Sequence, residues 1–213
     1  MGNFHHTRER VLAVAFSVGP GLLLVGSVLL ALGVGLNADG KSSYYEGALG
    51  AWGMVLFVPL YFALAKRLGK TFTSLGLICT IGGFFGSAAG VVAMTLRTVQ
   101  YDLVEQGLTP EAWQAFSNDP GTTAGIWGML LFLFPLSSML MGIGYWFSRT
   151  LPRWMALSFI LAGLLFGYAQ WTGSEWALQI LYPLSCLLWL APISQFGWKY
   201  LPENTLDEIA PLY

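Results

Sequence analysis

The sequence predicts an all-α fold, a polytopic membrane bundle of six transmembrane helices forming one domain over residues 1–213. Composition is the first observation behind it. Of 213 residues, 55% are hydrophobic and 10% charged, with a mean hydropathy of +0.62, too little charge to cover a water-facing surface of ordinary size. The second is a set of six runs free of Asp, Glu, Lys, Arg and His, at 11–36, 47–65, 71–96, 120–148, 154–174 and 176–198. Each approaches or exceeds the ~20 residues that cross ~30 Å of hydrocarbon as a helix. Backbone groups in lipid must be satisfied within each segment, and the alternating short segments of a β-barrel are missing, so the spans are helices.

The third observation is the placement of basic residues. With the N-terminus inside, Arg8, Arg10, Lys66, Arg67, Lys70, Arg149, Arg153 and Lys199 fall on the cytoplasmic side and only Lys41 and Arg97 outside, which puts both termini in the cytoplasm. A formal net charge of -1 supplies no basic field for nucleic acid.

The first run follows Arg8 and Arg10 as a signal peptide would. It is longer than the ~7 to 15 residues of a signal core and holds a Gly19-Pro20-Gly21 break, so it reads as the first span. His5 and His6, the only histidines, are too few for a metal or haem site. Asn37-Ala38-Asp39-Gly40-Lys41-Ser42-Ser43 is rich in turn formers and makes a short external loop. Asn37 and Asp39 begin like a calcium loop, but later acidic ligands are missing at the required spacing. Tyr44 and Tyr45 follow at headgroup level.

In the third span Gly82, Gly86 and Gly90 recur every four residues. A helix face so free of side chains allows a neighbouring backbone to approach closely. It suits another helix of the same bundle or, alternatively, a homodimer seam. An external loop spans 98–119, and Thr109-Pro110-Glu111 opens a short helix near 110–116 with an N-cap, a proline at the first helical position and an early acid. Arg97, Tyr101 and Glu105, with Asp102 beside them, share a face of a helical continuation of span three and form an external polar cluster. External acids (Asp39, Glu46, Asp102, Glu105, Glu111, Asp119, Glu175) outnumber external bases, as a positive-inside bias leaves them.

Spans two, four and six share a pattern. Trp52-Gly53-Met54-Val55-Leu56-Phe57-Val58-Pro59-Leu60 recurs as Trp127-Gly128-Met129-Leu130-Leu131-Phe132-Leu133-Phe134-Pro135-Leu136, with a fainter copy from Trp176 to Pro183-Leu184. This suggests three tandem helical hairpins, 11–65, 71–148 and 154–198. Each proline removes an amide donor and presses on the carbonyl four residues earlier, at Val55, Leu131 and Gln179. Three kinks facing one another would surround a cavity lined by Trp52, Pro59, Tyr61, Trp127, Pro135, Ser137, Ser138, Gln179, Tyr182, Pro183 and Ser185, apolar with a few hydrogen-bonding groups. The opposing expectation is that neighbouring helices satisfy the freed groups.

Ser148-Arg149-Thr150-Leu151-Pro152-Arg153-Trp154, with Phe159-Ile160-Leu161-Ala162-Gly163-Leu164, resembles a segment of a family of small six-helix bacterial inner-membrane proteins classed as a domain of unknown function. The resemblance covers Gly142 to Gly167. It implies six helices and a bacterial inner membrane, and brings no catalytic residues.

Charge-free spans lack the carboxylates and bases that mark ion pathways and proton relays. No nucleophile, metal or phosphate-loop motif is present. Cys79 and Cys186 have no CxxC spacing and read as small hydrophobes. The expectation is a non-catalytic membrane protein with no cofactor indicated by motif. It is either an accessory subunit of a membrane complex or a binder of an apolar small molecule: lipid, quinone, isoprenoid or pigment. Its partners are membrane lipids and, alternatively, other subunits or a second copy. A small transporter or channel, and an intramembrane enzyme with an external acidic site, are the competing readings.

Overall fold

A computed structural model describes residues 2–37 and 40–200, with side chains at all of these except 2–10, 12, 118, 123 and 200. Asp39 and the side chains of His5, His6, Arg8 and Arg10 therefore lie outside the described residues. The helices are α1 (Gly2–Ala31), α2 (Tyr44–Gly69), α3 (Thr73–Glu105), α4 (Pro110–Asn118), α5 (Thr123–Leu131), α6 (Leu133–Ser148), α7 (Arg153–Thr172) and α8 (Tyr182–Gln195). A π-helical turn, Ala177–Leu181, leads into α8, and another, Phe196–Tyr200, follows it. Among the described residues six helices are long and apolar enough to cross a membrane, α5 with α6 counting as one.

The spans form a closed ring. α1 packs on α2, α2 on α3, α3 on α5 and α6, α6 on α7, α7 on α8, and α8 returns to α1. The expected hairpins are present as neighbouring pairs, yet the most extensive packing lies between two of them, at α2–α3. Glycine explains this. A Cβ on Gly83 would enter the Tyr61 ring of α2, one on Gly90 would meet the Met54 sulfur at 2.7 Å, and one on Gly86 would strike the backbone of Leu133 and Phe134. Without a hydrophobic drive between helices in lipid, such close approach is a main source of cohesion. The Gly82, Gly86 and Gly90 face is thus covered by α2 and α6 of the same chain, with Ser137 against Gly82.

Large rings fill the centre. Phe57, Phe134, Phe166, Tyr182 and Trp189 are all buried, with centroids 5.0 Å apart for Phe134–Trp189, 5.1 Å for Phe166–Trp189 and 5.2 Å for Phe57–Phe134. Most of these pairs are edge-on or tilted, an arrangement worth ~0.5 to 1.5 kcal/mol per pair beyond the area it buries.

The prolines act differently at their three positions. α2 runs unbroken through Pro59. The fourth span breaks at Phe132, between α5 and α6, beside Leu131, whose carbonyl Pro135 displaces. Ahead of Pro183 the chain widens into the π turn, where the Tyr182 amide donates to the Ala177 carbonyl, a common accommodation of an interrupted ladder.

Candidate functional site

The polar residues at the proline level are absorbed by packing. Tyr61 Oη donates to the Phe134 carbonyl at 2.8 Å. Ser138 Oγ donates to the Phe159 carbonyl at 3.0 Å and accepts from Trp189 Nε1 at 2.7 Å, and Ser185 Oγ donates to the Tyr182 carbonyl at 2.7 Å. The space between Phe57, Tyr61, Ser138, Phe159 and Trp189 does not admit a water molecule. The remaining residues expected there are dispersed. Trp52 is 69% exposed on the outer surface, and Trp127 and Pro183 are half-buried. Gln179 is exposed and donates to Glu175 at 3.1 Å. Pro59 is half-buried on α2 and Pro135 is buried on α6. The three prolines therefore do not enclose a cavity: the side chains of Phe57, Phe134 and Trp189 occupy the volume that kinks alone would have opened.

A different polar site stands at the end of the bundle where α2 begins and α3 ends. Glu46 is fully buried, and Arg97, 16% exposed along its side chain, forms an ion pair with it through Nη1 and Oε1. Both residues lie inside helices long and apolar enough to cross a membrane, which corrects the expectation of spans without charge. Glu46 is the third residue of α2, where its carboxylate also accepts from the Ser43 amide at 3.3 Å while Ser43 Oγ accepts from the Glu46 amide at 3.0 Å. This reciprocal capping box holds the carboxylate at the helix entrance, so its second oxygen points to Arg97. Arg97 Nη2 donates to Gln170 Oε1 at 2.7 Å, tying in α7.

Small residues bring these helices together. A Cβ on Gly47 would lie 2.7 Å from the Met94 carbonyl oxygen and 3.0 Å from Arg97 Cβ, and one on Gly26 would lie 3.3 Å from Glu46 Cα. The α1–α2 connection completes the cluster. Asn37 Nδ2 donates to Ser42 Oγ at 2.6 Å, to the Arg97 carbonyl at 3.2 Å and to Gln100 Oε1 at 3.4 Å. The charges cancel within the site. Asn37 Oδ1, Gln170 Nε2 and the nearby Tyr182 hydroxyl are buried without a hydrogen-bond partner.

The external cluster expected of Arg97, Tyr101, Asp102 and Glu105 is not assembled. Arg97 turns inward to Glu46, Tyr101 packs edge-on against Tyr44 at 5.4 Å, and Asp102 and Glu105 are exposed. No group of three or more metal-ligating side chains occurs among the described residues.

Two openings remain. A cleft of about 530 Å³ lies beside the polar end, between the end of α1 and the α7–α8 connection, with Lys41, Glu175 and Gln179 on its walls. At the opposite end a groove of about 540 Å³ runs between the start of α3 and the end of α6, lined by Phe72, Thr73, Ser74, Leu75, Ile143, Gly144 and Phe147. Gly144 is itself closely covered, a Cβ there meeting Leu75 at 2.7 Å and Leu68 at 2.9 Å. No side chain caps α3 there.

The chain matches no protein-family model, no curated protein and no solved structure.

Proposed function

We propose that this protein is a non-catalytic membrane bundle that binds membrane lipid at its exterior. The observation that carries this reading is the groove of about 540 Å³ between α3 and α6, a volume typical of small-ligand sites, set in a ring of helices whose centre is filled. Phe72, Ile143 and Phe147 are exposed on its walls, as acyl chains require. The packed aromatic centre speaks against a transport path, and the scattered positions of Tyr101, Asp102 and Glu105 speak against an external acidic active site. The resemblance of Gly142 to Gly167 favours a bacterial inner membrane. The run of basic residues favours placing the groove end toward the cytoplasm; a reporter active only in the cytoplasm, inserted after Leu108, is expected to stay silent.

Mild-detergent purification followed by native mass spectrometry tests the reading. The expected spectrum shows the chain with phospholipid retained through delipidating washes. A bare chain, or one carrying only a second protein subunit, would overturn it.

A further inference from the structure

From the hydrogen bonding of the polar end we infer that water is bound there as part of the fold, one molecule bridging Gln170 Nε2 and Tyr182 Oη beside the Glu46–Arg97 ion pair. The inference is independent of the lipid groove at the opposite end of the bundle.

The orientation of two side-chain amides carries it. Gln170 Oε1 accepts from Arg97 Nη2 at 2.7 Å, so turning this amide over would set Nε2 against a guanidinium that has only donors to offer. Asn37 Nδ2 faces three acceptors, Ser42 Oγ at 2.6 Å, the Arg97 carbonyl at 3.2 Å and Gln100 Oε1 at 3.4 Å. Turning that amide would set an oxygen against oxygens. Both orientations are thus fixed by their neighbours. What is left over is one donor, Gln170 Nε2, and one acceptor, Asn37 Oδ1. Both atoms are buried, and neither has a hydrogen-bond partner among the described residues.

Tyr182 adds a third group of this kind. Its side chain is fully buried, and its hydroxyl has no partner among the described residues. The ring meets Phe166 edge-on at 5.5 Å, one helical turn from Gln170 on α7, and the hydroxyl lies within electrostatic range of Arg97. Arg97 is therefore the common neighbour of Gln170 and Tyr182. Left unbonded, these groups would forfeit the hydrogen bonds each makes with water in the unfolded chain.

The mixture of groups selects the ligand. An anion would satisfy only the donor and a cation only the acceptor, and the charges of Glu46 and Arg97 already cancel. Water both donates and accepts, and a buried water makes about three bonds to polar groups that the protein leaves unpaired. Tyr61 and Tyr145 supply the contrast within the same bundle. They are as buried as Tyr182, but their hydroxyls donate to the Phe134 and Leu64 carbonyls and have no need of water.

Radiolytic footprinting of the full chain in phosphatidylcholine nanodiscs, equilibrated in water enriched in heavy oxygen, gives the test. Hydroxyl radicals formed from a bound water oxidise the side chain that holds it, whereas radicals from bulk solution do not reach a buried ring. Tyr182 is expected to gain heavy oxygen while Tyr61 and Tyr145 stay unlabelled. In Gln170→Met, which keeps the length of the side chain and removes the donor, labelling of Tyr182 is expected to be lost. Tyr182→Phe is expected to lower the unfolding midpoint, because it deletes a bonded hydroxyl. Tyr182 as silent as Tyr61 and Tyr145 overturns the inference, as does labelling that Gln170→Met leaves unmoved. An unchanged or raised midpoint in Tyr182→Phe, the mark of a hydroxyl that had no partner to lose, overturns it too.

Discussion

The polar end of the bundle and its aromatic centre solve the same problem in opposite ways. Both must satisfy polar groups away from water. In the centre Tyr61 finds the Phe134 carbonyl, Ser138 the Phe159 carbonyl and Trp189 the Ser138 hydroxyl, each on a neighbouring helix, while the Tyr182 hydroxyl has no partner among the described residues. Such bonds contribute ~0.6 kcal/mol each on average and ~1.7 at most, because the separated helices in the membrane also find partners. At the polar end a full ion pair is buried and joined to a capping box and to Gln170. Losing one member there leaves a charge without its counterpart, which costs far more than losing one hydrogen bond. Cohesion of the centre is therefore spread over many ring contacts, whereas cohesion of the polar end is concentrated in two residues.

Substitutions should separate the two regions in a definite order. Arg97→Met leaves the fully buried Glu46 carboxylate without its cation and is expected to cost about 3 to 5 kcal/mol, read as a lower midpoint in detergent-denaturant unfolding. Glu46→Gln should cost less than Arg97→Met, because the cation it leaves is 16% exposed and keeps its bond to Gln170, whereas the stranded carboxylate is fully buried. An equal loss for the two would show that this difference in exposure does not matter.

Next is Gly83→Ala, whose methyl enters the Tyr61 ring. Overpacking of this kind costs about 1 to 3 kcal/mol, and the same unfolding assay checks it. Tyr61→Phe removes one hydrogen bond and keeps the ring, so its cost should stay near ~0.6 kcal/mol. Trp52→Leu, on the exposed surface, should fall within about 0.5 kcal/mol of no change. A loss from Trp52→Leu as large as that from Arg97→Met would erase the contrast between the regions.

The six spans were legible because lipid tolerates so little charge that charge-free runs map directly onto helices. The same rule hid the polar site. It ends a span at the first charged residue and so left Glu46 and Arg97 just outside spans two and three, although Ser43-x-x-Glu46 spells a capping box and puts Glu46 in the first turn of a helix. The helical continuation through Arg97, Tyr101 and Glu105 was also visible; that Arg97 turns inward while Glu105 stays exposed depends on Gly26 and Gly47, whose partners lie in other helices. The glycine face of α3 was legible as a packing surface, and its covering by α2 and α6 follows from the ring. The proline cavity failed for a tertiary reason: kinks open volume only if neighbouring side chains leave it empty, and Phe57, Phe134 and Trp189 fill it. The groove had no signature in the chain at all. It arises where α3 begins beside the end of α6, a juxtaposition of residues seventy positions apart.

The claim that lipid is held in this groove and not among the prolines is tested most directly by photocrosslinking. A phospholipid with a diazirine in its acyl chain is incorporated, the chain is purified in mild detergent, and only lipid that survives purification is activated. Crosslinked peptides are expected to contain Phe72, Ile143 or Phe147. Crosslinks gathered instead at Pro59, Pro135 and Pro183 would contradict the account and restore a cavity at the proline level.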